Sequence, residues 1–274
     1  MRGKFKLIPL VIAAIVILFQ FMGAEKFTNP ETGKKTRVAL SSKDEKALGM
    51  QSFQEVLATA DVLETGPEVD MVRRVAERLA PVTGEAARDF EWVVSVVKSP
   101  QVNAFCLPGG KIVVYTGILP IAQTEEGLAT VMGHEMAHAV ARHGSQRLFQ
   151  HSLMQTAMVG ASFSLGDFDP QQRHMILGLL GAGAQYGVLM PFGRDHESEA
   201  DHMGLLYMAR AGYNPEAAIG FWERMAEAGS ANQPPEFMST HPAHGTRIAR
   251  IRELMPKALA EYEKRRQNRN LSAE

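Results

Sequence analysis

The chain has 274 residues, 45% hydrophobic and 22% charged, with a formal net charge of -1. That balance is globular rather than disordered, fits one domain of ordinary size or two small ones, and supplies no basic field for nucleic acid. Cys106 is the single cysteine, which excludes an intrachain disulfide and a cysteine-based zinc cluster.

Arg2, Lys4 and Lys6 precede the apolar run LIPLVIAAIVILFQFM at 7 to 22. As a helix this run rises about 24 Å, slightly short of a hydrocarbon core of about 30 Å. It suits a short membrane anchor or a signal peptide. No clean A-x-A site accompanies Ala24 and no cysteine stands there for lipidation, so an anchor over 1–23 is the preferred reading. The basic flank stays on the cytoplasmic side, which puts the rest of the chain across the membrane. Residues 24–44 are polar and rich in turn formers, and read as a tether. A helix is predicted from about 44 to 60 and another from 67 to 80. Pro67 suits the first helical position of the second, and Val69, Val72, Val75, Ala76 and Leu79 recur at helical spacing. A β region follows: FEWVVSVV at 90 to 97, then VNAFCL at 102 to 107 and KIVVYT at 111 to 116, the last two flanking a PGG turn. From 124 onward the pattern is helical. The stretch ILGLLGAGAQYGVLM at 176 to 190 is apolar but short for a span. It reads as a helix packed near the active site, with membrane contact as an open alternative. The preceding SLGDFDPQQ at 164 to 172 reads as a mobile lid. The basic end of the chain reads as a solvated face.

The fourteen residues VMGHEMAHAVARHG at 131 to 144 carry the chemistry. Thr124 can cap the helix, Glu125 and Glu126 suit its positive end, and Arg142, His143 and Gly144 suit its finish. On that helix His134 and His138 lie one turn apart on one face, a spacing that lets two imidazoles hold one Zn²⁺, with Glu135 beside them. A catalytic zinc needs a third protein ligand. The third and sixth residues after His138 are Ala141 and Gly144, which rules out the metzincin pattern. A glutamate from a later helix is the other common solution. GRDHESEADHMGLLYMARAG at 193 to 212 offers Glu197, with Asp195 as its cap, Gly212 as its stop, and Asp201, Ala200 and Gly204 sharing its face. Glu199 falls away from that face.

HEMAH followed by RDHESEAD resembles the gluzincin peptidases, the family that contains HtpX, BepA and the CAAX prenyl endoprotease. VNAFCLPGGKIVVYTGIL, GAQYGVLMPFGR and STHPAHGTR match as well. NPETGKKTRVALSS resembles the start of the branch that includes the mitochondrial inner-membrane quality-control protease. The resemblance spans about residues 28 to 255. It implies an α+β, mostly helical, zincin-like metallopeptidase domain with a small antiparallel sheet. That domain is placed over 45–268, with one N-terminal apolar helix before it and a disordered tail at 269–274. It implies one Zn²⁺ per chain on His134, His138 and Glu197, with Glu135 as the base. Asp201 is read as orienting a ligand histidine or as a proton donor. His241 is read as a plug on the metal or an oxyanion stabiliser, and Asn103 and Ala104 as the edge that binds extended substrate. Arg194 and Arg247 are placed as partners of the site carboxylates, and the remaining histidines as solvent-facing or structural. The implied activity is cleavage of unfolded or misassembled membrane and envelope proteins, at a bacterial inner membrane and facing the periplasm, or free in the periplasm if the first segment is cleaved. A latent, chaperone-like binding protein with a plugged zinc site is the alternative.

Overall fold

The computed structural model describes residues 4–229, 235–241 and 246–271. In chain order the elements are α1 (Ile8–Gly23), β1 (Glu25–Thr28), β2 (Lys35–Val38), α2 (Ser42–Thr59), β3 (Val62–Leu63) and α3 (Pro67–Leu79). Then come β4 (Val93–Val97), β5 (Ala104–Leu107), β6 (Lys111–Tyr115), α4 (Leu119–Ala122), α5 (Glu125–Val140) and α6 (His143–Ser164). The last are α7 (Pro170–Ala184), α8 (Met190–Ala211), α9 (Ala217–Gly229), α10 (Glu236–Thr240) and α11 (Arg247–Leu271). The chain divides into two units: Met1–Thr28, Lys34–Ser42 and His143–His196 form the first, and Asn29–Gly33, Lys43–Arg142 and Glu197–Glu274 the second.

The second unit holds the main core. Its sheet runs in the order β3-β4-β6-β5. The sheet is small and mostly antiparallel, as expected, with one parallel pairing inside it. β5 pairs antiparallel with β6, but β4 pairs with β6 in parallel. The chain leaves β4, places β5 at the edge and folds back through the PGG turn, so β6 returns between them in the direction of β4. Gly109 and Gly110 turn at φ 82° and 88°, and a Cβ on Gly110 would lie 2.9 Å from the Trp92 ring. Only glycine meets both demands. The β-branched run buries Val96, Ile112 and Val114, while α3 buries Val69, Val72, Val75 and Leu79, each worth about 1.5–3 kcal/mol of apolar transfer.

Residues 24–44 do not form a tether. β1 and β2 make a hairpin within the first unit. Within the second, Asn29 is buried and donates to Glu199 Oε1 (2.8 Å), to which Thr32 also donates (2.7 Å). Arg210 grips Glu31 with two bonds of 2.8 and 2.7 Å. Glu199 is therefore a buried acceptor on α8, satisfied by this segment.

In the first unit α1 packs on α6, and α6 on α7. The expected lid at 164–172 is a tight turn: Asp169 caps α7, its carboxylate accepting from the Gln171 N–H at 2.9 Å. Among the described residues no helix is long and apolar enough to cross a membrane. The tail expected over 269–274 is helical as far as Leu271, and 272–274 lie outside the described residues.

Candidate metal centre

α5 begins where its sequence signals it. The Thr124 side chain accepts from the Gly127 N–H at 3.1 Å, and Glu125 and Glu126 occupy the first turn. Its end differs from the expected glycine stop: α5 finishes at Val140, Arg142 takes the left-handed turn at φ 58°, and Gly144 lies inside α6. The buried pair Arg142 Nε to Glu45 Oε2, 2.9 Å, accompanies that turn. α8 also starts before its predicted cap, at Met190, so Asp195 is internal. It ends as expected at Gly212, φ 80°, where the Tyr213 N–H reaches the Met208 carbonyl and the Gly212 N–H that of Ala209.

α5 and α8 touch backbone to backbone. A Cβ on Gly133 would lie 3.3 Å from the Gly204 oxygen, and one on Gly204 would lie 3.0 Å from the His134 nitrogen. This closeness brings Glu197 to the two histidines. His138 Nε2 lies 3.1 Å from His134 Nε2, and each is 3.3 Å from a Glu197 oxygen. His241 Nδ1 is 3.3 Å from His134 Nε2 and 3.1 Å from Glu197 Oε1. These four side chains offer donor atoms that all lie within 4.8 Å of one another. Ligands about 2.0–2.1 Å from a tetrahedral zinc stand roughly 3.3 Å apart. The nearest donor spacings therefore fit that ion, and the set of imidazole and carboxylate suits it chemically. Glu135 is buried, with no hydrogen-bond partner for Oε1 among the described residues and the His241 ring 3.5 Å from it.

Around these donors lies a second set of contacts. Asp201 Oδ1 is 3.0 Å from His134 Nδ1, and Arg247 Nη2 donates to the same oxygen at 2.6 Å. Arg247 also lies 3.3 Å from Glu197 Oε2 and 3.3 Å above the Trp222 ring. Phe237 stacks on His241 with ring centres 4.6 Å apart. Trp222 and Phe237 have no signal in the sequence that marks them as wall residues; they read as ordinary core aromatics. Arg194 is exposed at the surface of the first unit. Of the other histidines, His143 and His196 stack in the first unit and are buried. Pro242 and His244 lie outside the described residues.

Burial opposes ionisation of Glu197, but the His134, His138 and His241 imidazoles in contact with it outweigh that and hold the carboxyl far below the usual range. Burial also opposes the charge on Asp201, and the Arg247 guanidinium with the His134 hydrogen bond reverses that. Glu135 goes the other way: burial, only partly offset by His241, pushes its carboxyl up to about 7. The backbone at Cys106 also partly offsets that rise, which places the outer edge of β5 beside the site. Asn103 precedes that strand, its carbonyl accepting from the Tyr115 N–H at 3.1 Å, and Ala104 pairs with Val114.

The model of the family described as Peptidase family M48 matches residues 68–255. The mitochondrial metalloendopeptidase OMA1 of Schizosaccharomyces pombe is 37% identical over 223 residues, covering 80% of this chain and 63% of the relative. Its namesake in Saccharomyces cerevisiae is 34% identical, with the same 80% and 63% coverage. The beta-barrel assembly-enhancing protease of Yersinia pestis is 28% identical over 81% of this chain and 46% of its own length. The chain thus spans less than two thirds of the relatives it matches. The expected placement at a bacterial inner membrane, facing the periplasm, is overturned by these matches, because the two yeast relatives carry mitochondrial names.

Proposed function

The chain belongs to peptidase family M48, and from that premise we propose that it is a zinc-dependent endopeptidase that cuts unfolded or misassembled membrane proteins. The observation that carries this reading is the convergence of His134, His138 and Glu197 at spacings near 3.3 Å beside a buried Glu135. A bound zinc ion supplies Lewis acidity and lowers the pKa of its water toward about 7. Glu135, buried beside the donor cluster, takes the proton from the attacking water and returns it to the leaving amine. Asp201 accepts from His134 Nδ1, fixing the ring so that Nε2 faces the ion. Arg247 keeps Asp201 in place and charged. Extended substrate adds to the outer edge of β5 at Asn103 and Ala104, where backbone hydrogen bonds tolerate many side chains but require an unfolded stretch. His241 acts as a removable fourth donor, a role supported by its place in the donor cluster. The apolar α1 holds the chain to a membrane.

Metal content and casein hydrolysis of the purified chain test this reading. His134→Ala is expected to lose most of the zinc. Glu135→Gln is expected to keep zinc and fold yet lose activity by about 10² or more, since an amide cannot accept the proton. Full zinc in His134→Ala, or undiminished turnover in Glu135→Gln, sinks it.

A further inference from the structure

The first unit concentrates exposed apolar surface. Among the described residues, every exposed large hydrophobic side chain except Leu48, Val93 and Leu271 belongs to it. These side chains lie on three helices, not on α1 alone: Ile12, Ile15 and Phe19 on α1, Val159 and Phe163 on α6, Leu179 and Leu180 on α7. Of the sixteen residues of α1 only Ala13 is buried. A protein partner covers one face of a helix, whereas a helix apolar on nearly every side is matched by lipid.

Charge follows the same division. Residues 7–24, 152–166 and 175–193 contain no Asp, Glu, Lys or Arg. Charged groups gather at the two ends of these stretches. At one end lie Lys4, Lys6, Asp167, Asp169 and Arg173, where α1 and the α6–α7 turn are joined by Lys6 Nζ to Asp167 at 2.8 Å and the Lys6 N–H to the Ser164 carbonyl at 3.0 Å. Toward the other lie Glu25 and Arg37 of the hairpin, Arg37 donating to the Ala24 carbonyl. The α1–α6 contact is also of the kind used in lipid. A Cβ on Gly160 would lie 2.5 Å from the Ala13 Cβ, so the helices meet through small residues. Gln20 Nε2 donates to Thr156 Oγ1 at 3.1 Å, a polar bond between helices. Beside this contact a mostly apolar cleft of about 710 Å³ opens between α1 and α6, lined by Ile12, Val16, Val159 and Phe163 among others.

We propose that α6 and α7 enter the acyl layer of a bilayer together with α1, so that the first unit is a three-helix lipid-embedded body and not a lone anchor beside a water-facing hairpin. The occupant of the cleft and of the outer helix faces is lipid acyl chain. This rests on the reading of α1 as membrane-bound but extends to residues that reading leaves in water. The uncharged depth, about 24 Å for α1, is less than a hydrocarbon core of about 30 Å. The body therefore enters lipid without any one described helix being both long and apolar enough for a span, and Lys4 and Lys6 reach outward to headgroups.

Single added tryptophans test it. The chain has two of its own, Trp92 and Trp222, both in the second unit. Ile15→Trp, Phe163→Trp and Leu179→Trp are made in the full chain and reconstituted into phosphatidylcholine vesicles, with and without bromine on the acyl chains. Bromine quenches only tryptophans within the acyl layer, and the wild-type chain sets the background. All three variants are expected to lose emission beyond wild type in brominated vesicles. Quenching of Ile15→Trp with none in Phe163→Trp and Leu179→Trp overturns the inference and leaves the anchor standing, as when a second copy covers α6 and α7. Quenching at 163 and 179 alone removes α1 from lipid while keeping the other two helices there. No quenching at any position sinks both.

Discussion

Gly204→Ala tests the physical basis of the metal site most directly. A Cβ at this position would lie 3.0 Å from the His134 nitrogen and 3.2 Å from both the Gly133 carbonyl carbon and the His134 Cα. All three are backbone atoms of the helix that carries two of the ligands, so no side chain can swing aside. The helices must separate by a few tenths of an ångström. Two effects then compete. Alanine is the better helix former by about 1 kcal/mol, and forcing a close-packed contact apart costs about 1–3 kcal/mol. The net change in folding stability is a loss of about 0–2 kcal/mol. The effect on metal is larger in proportion, because Glu197 sits on α8 and the histidines on α5, at spacings of 3.3 Å that the ion demands. Loss of a supporting contact of this kind lowers metal affinity by about 10-fold or more. Gly144→Ala is the control, since nothing lies within 4 Å of its Cβ; its zinc affinity is expected to match wild type. Urea titrations give the stabilities, and competition against a chromophoric chelator gives the zinc affinities. A Gly204→Ala chain that binds zinc as tightly as Gly144→Ala refutes the claim that this crossing sets the ligand spacing.

Two further variants address single groups. His241→Ala, with its Nδ1 removed from the donor cluster, is expected to raise casein hydrolysis at unchanged zinc content; a fall of about 10² instead assigns His241 to the oxyanion. Glu31→Gln removes a carboxylate that Arg210 holds below its usual range. Because the folded value is depressed, its stabilisation is complete above the unfolded value near 4.5 and fades as pH falls through the lower folded one. Denaturant titrations should therefore show the variant weaker by about 0.5–1 kcal/mol at pH 7, a gap that narrows below pH 4.5; an equal gap at both ends assigns the effect to packing.

The local signals that proved readable are those a helix or turn needs for itself. Thr124 caps α5, Pro67 opens α3, Gly212 ends α8, and PGG turns β5 into β6, because each answers a demand of the backbone within a few residues. The i, i+4 spacing of His134 and His138 is legible for the same reason. What depended on distant partners was not. The true start of α8 lies seven residues before Glu197 because α8 follows on from a π-helical turn at Gln185–Leu189, and no cap residue announces it. The parallel pairing of β4 with β6 follows from which strand takes the edge, a choice the alternation pattern does not encode. Residues 29–33 read as linker because their composition is polar, yet Asn29, Glu31 and Thr32 are polar in order to satisfy Glu199 and Arg210. Trp222 and Phe237 carry no pattern beyond being aromatic.

Charge balance gives an independent reason for a divalent ion in this site. Glu135, Glu197 and Asp201 are all buried, and among the described residues Arg247 is the one cation of comparable burial beside them, in contact with Glu197 and Asp201. With neutral imidazoles and all three carboxyls ionised, two negative charges remain uncompensated. Burying such charges without partners costs several kcal/mol each. A protein answers by protonating a group, and the upward push on Glu135 by burial is that response in its mildest form. A dication cancels the excess outright and lets Glu135 ionise. The same arithmetic explains why Arg247 sits against Asp201 and Glu197 and not against Glu135. On the proposed mechanism, its guanidinium neutralises the carboxylates that must stay charged to hold and orient ligands, and leaves Glu135, the proposed proton acceptor, free to change state.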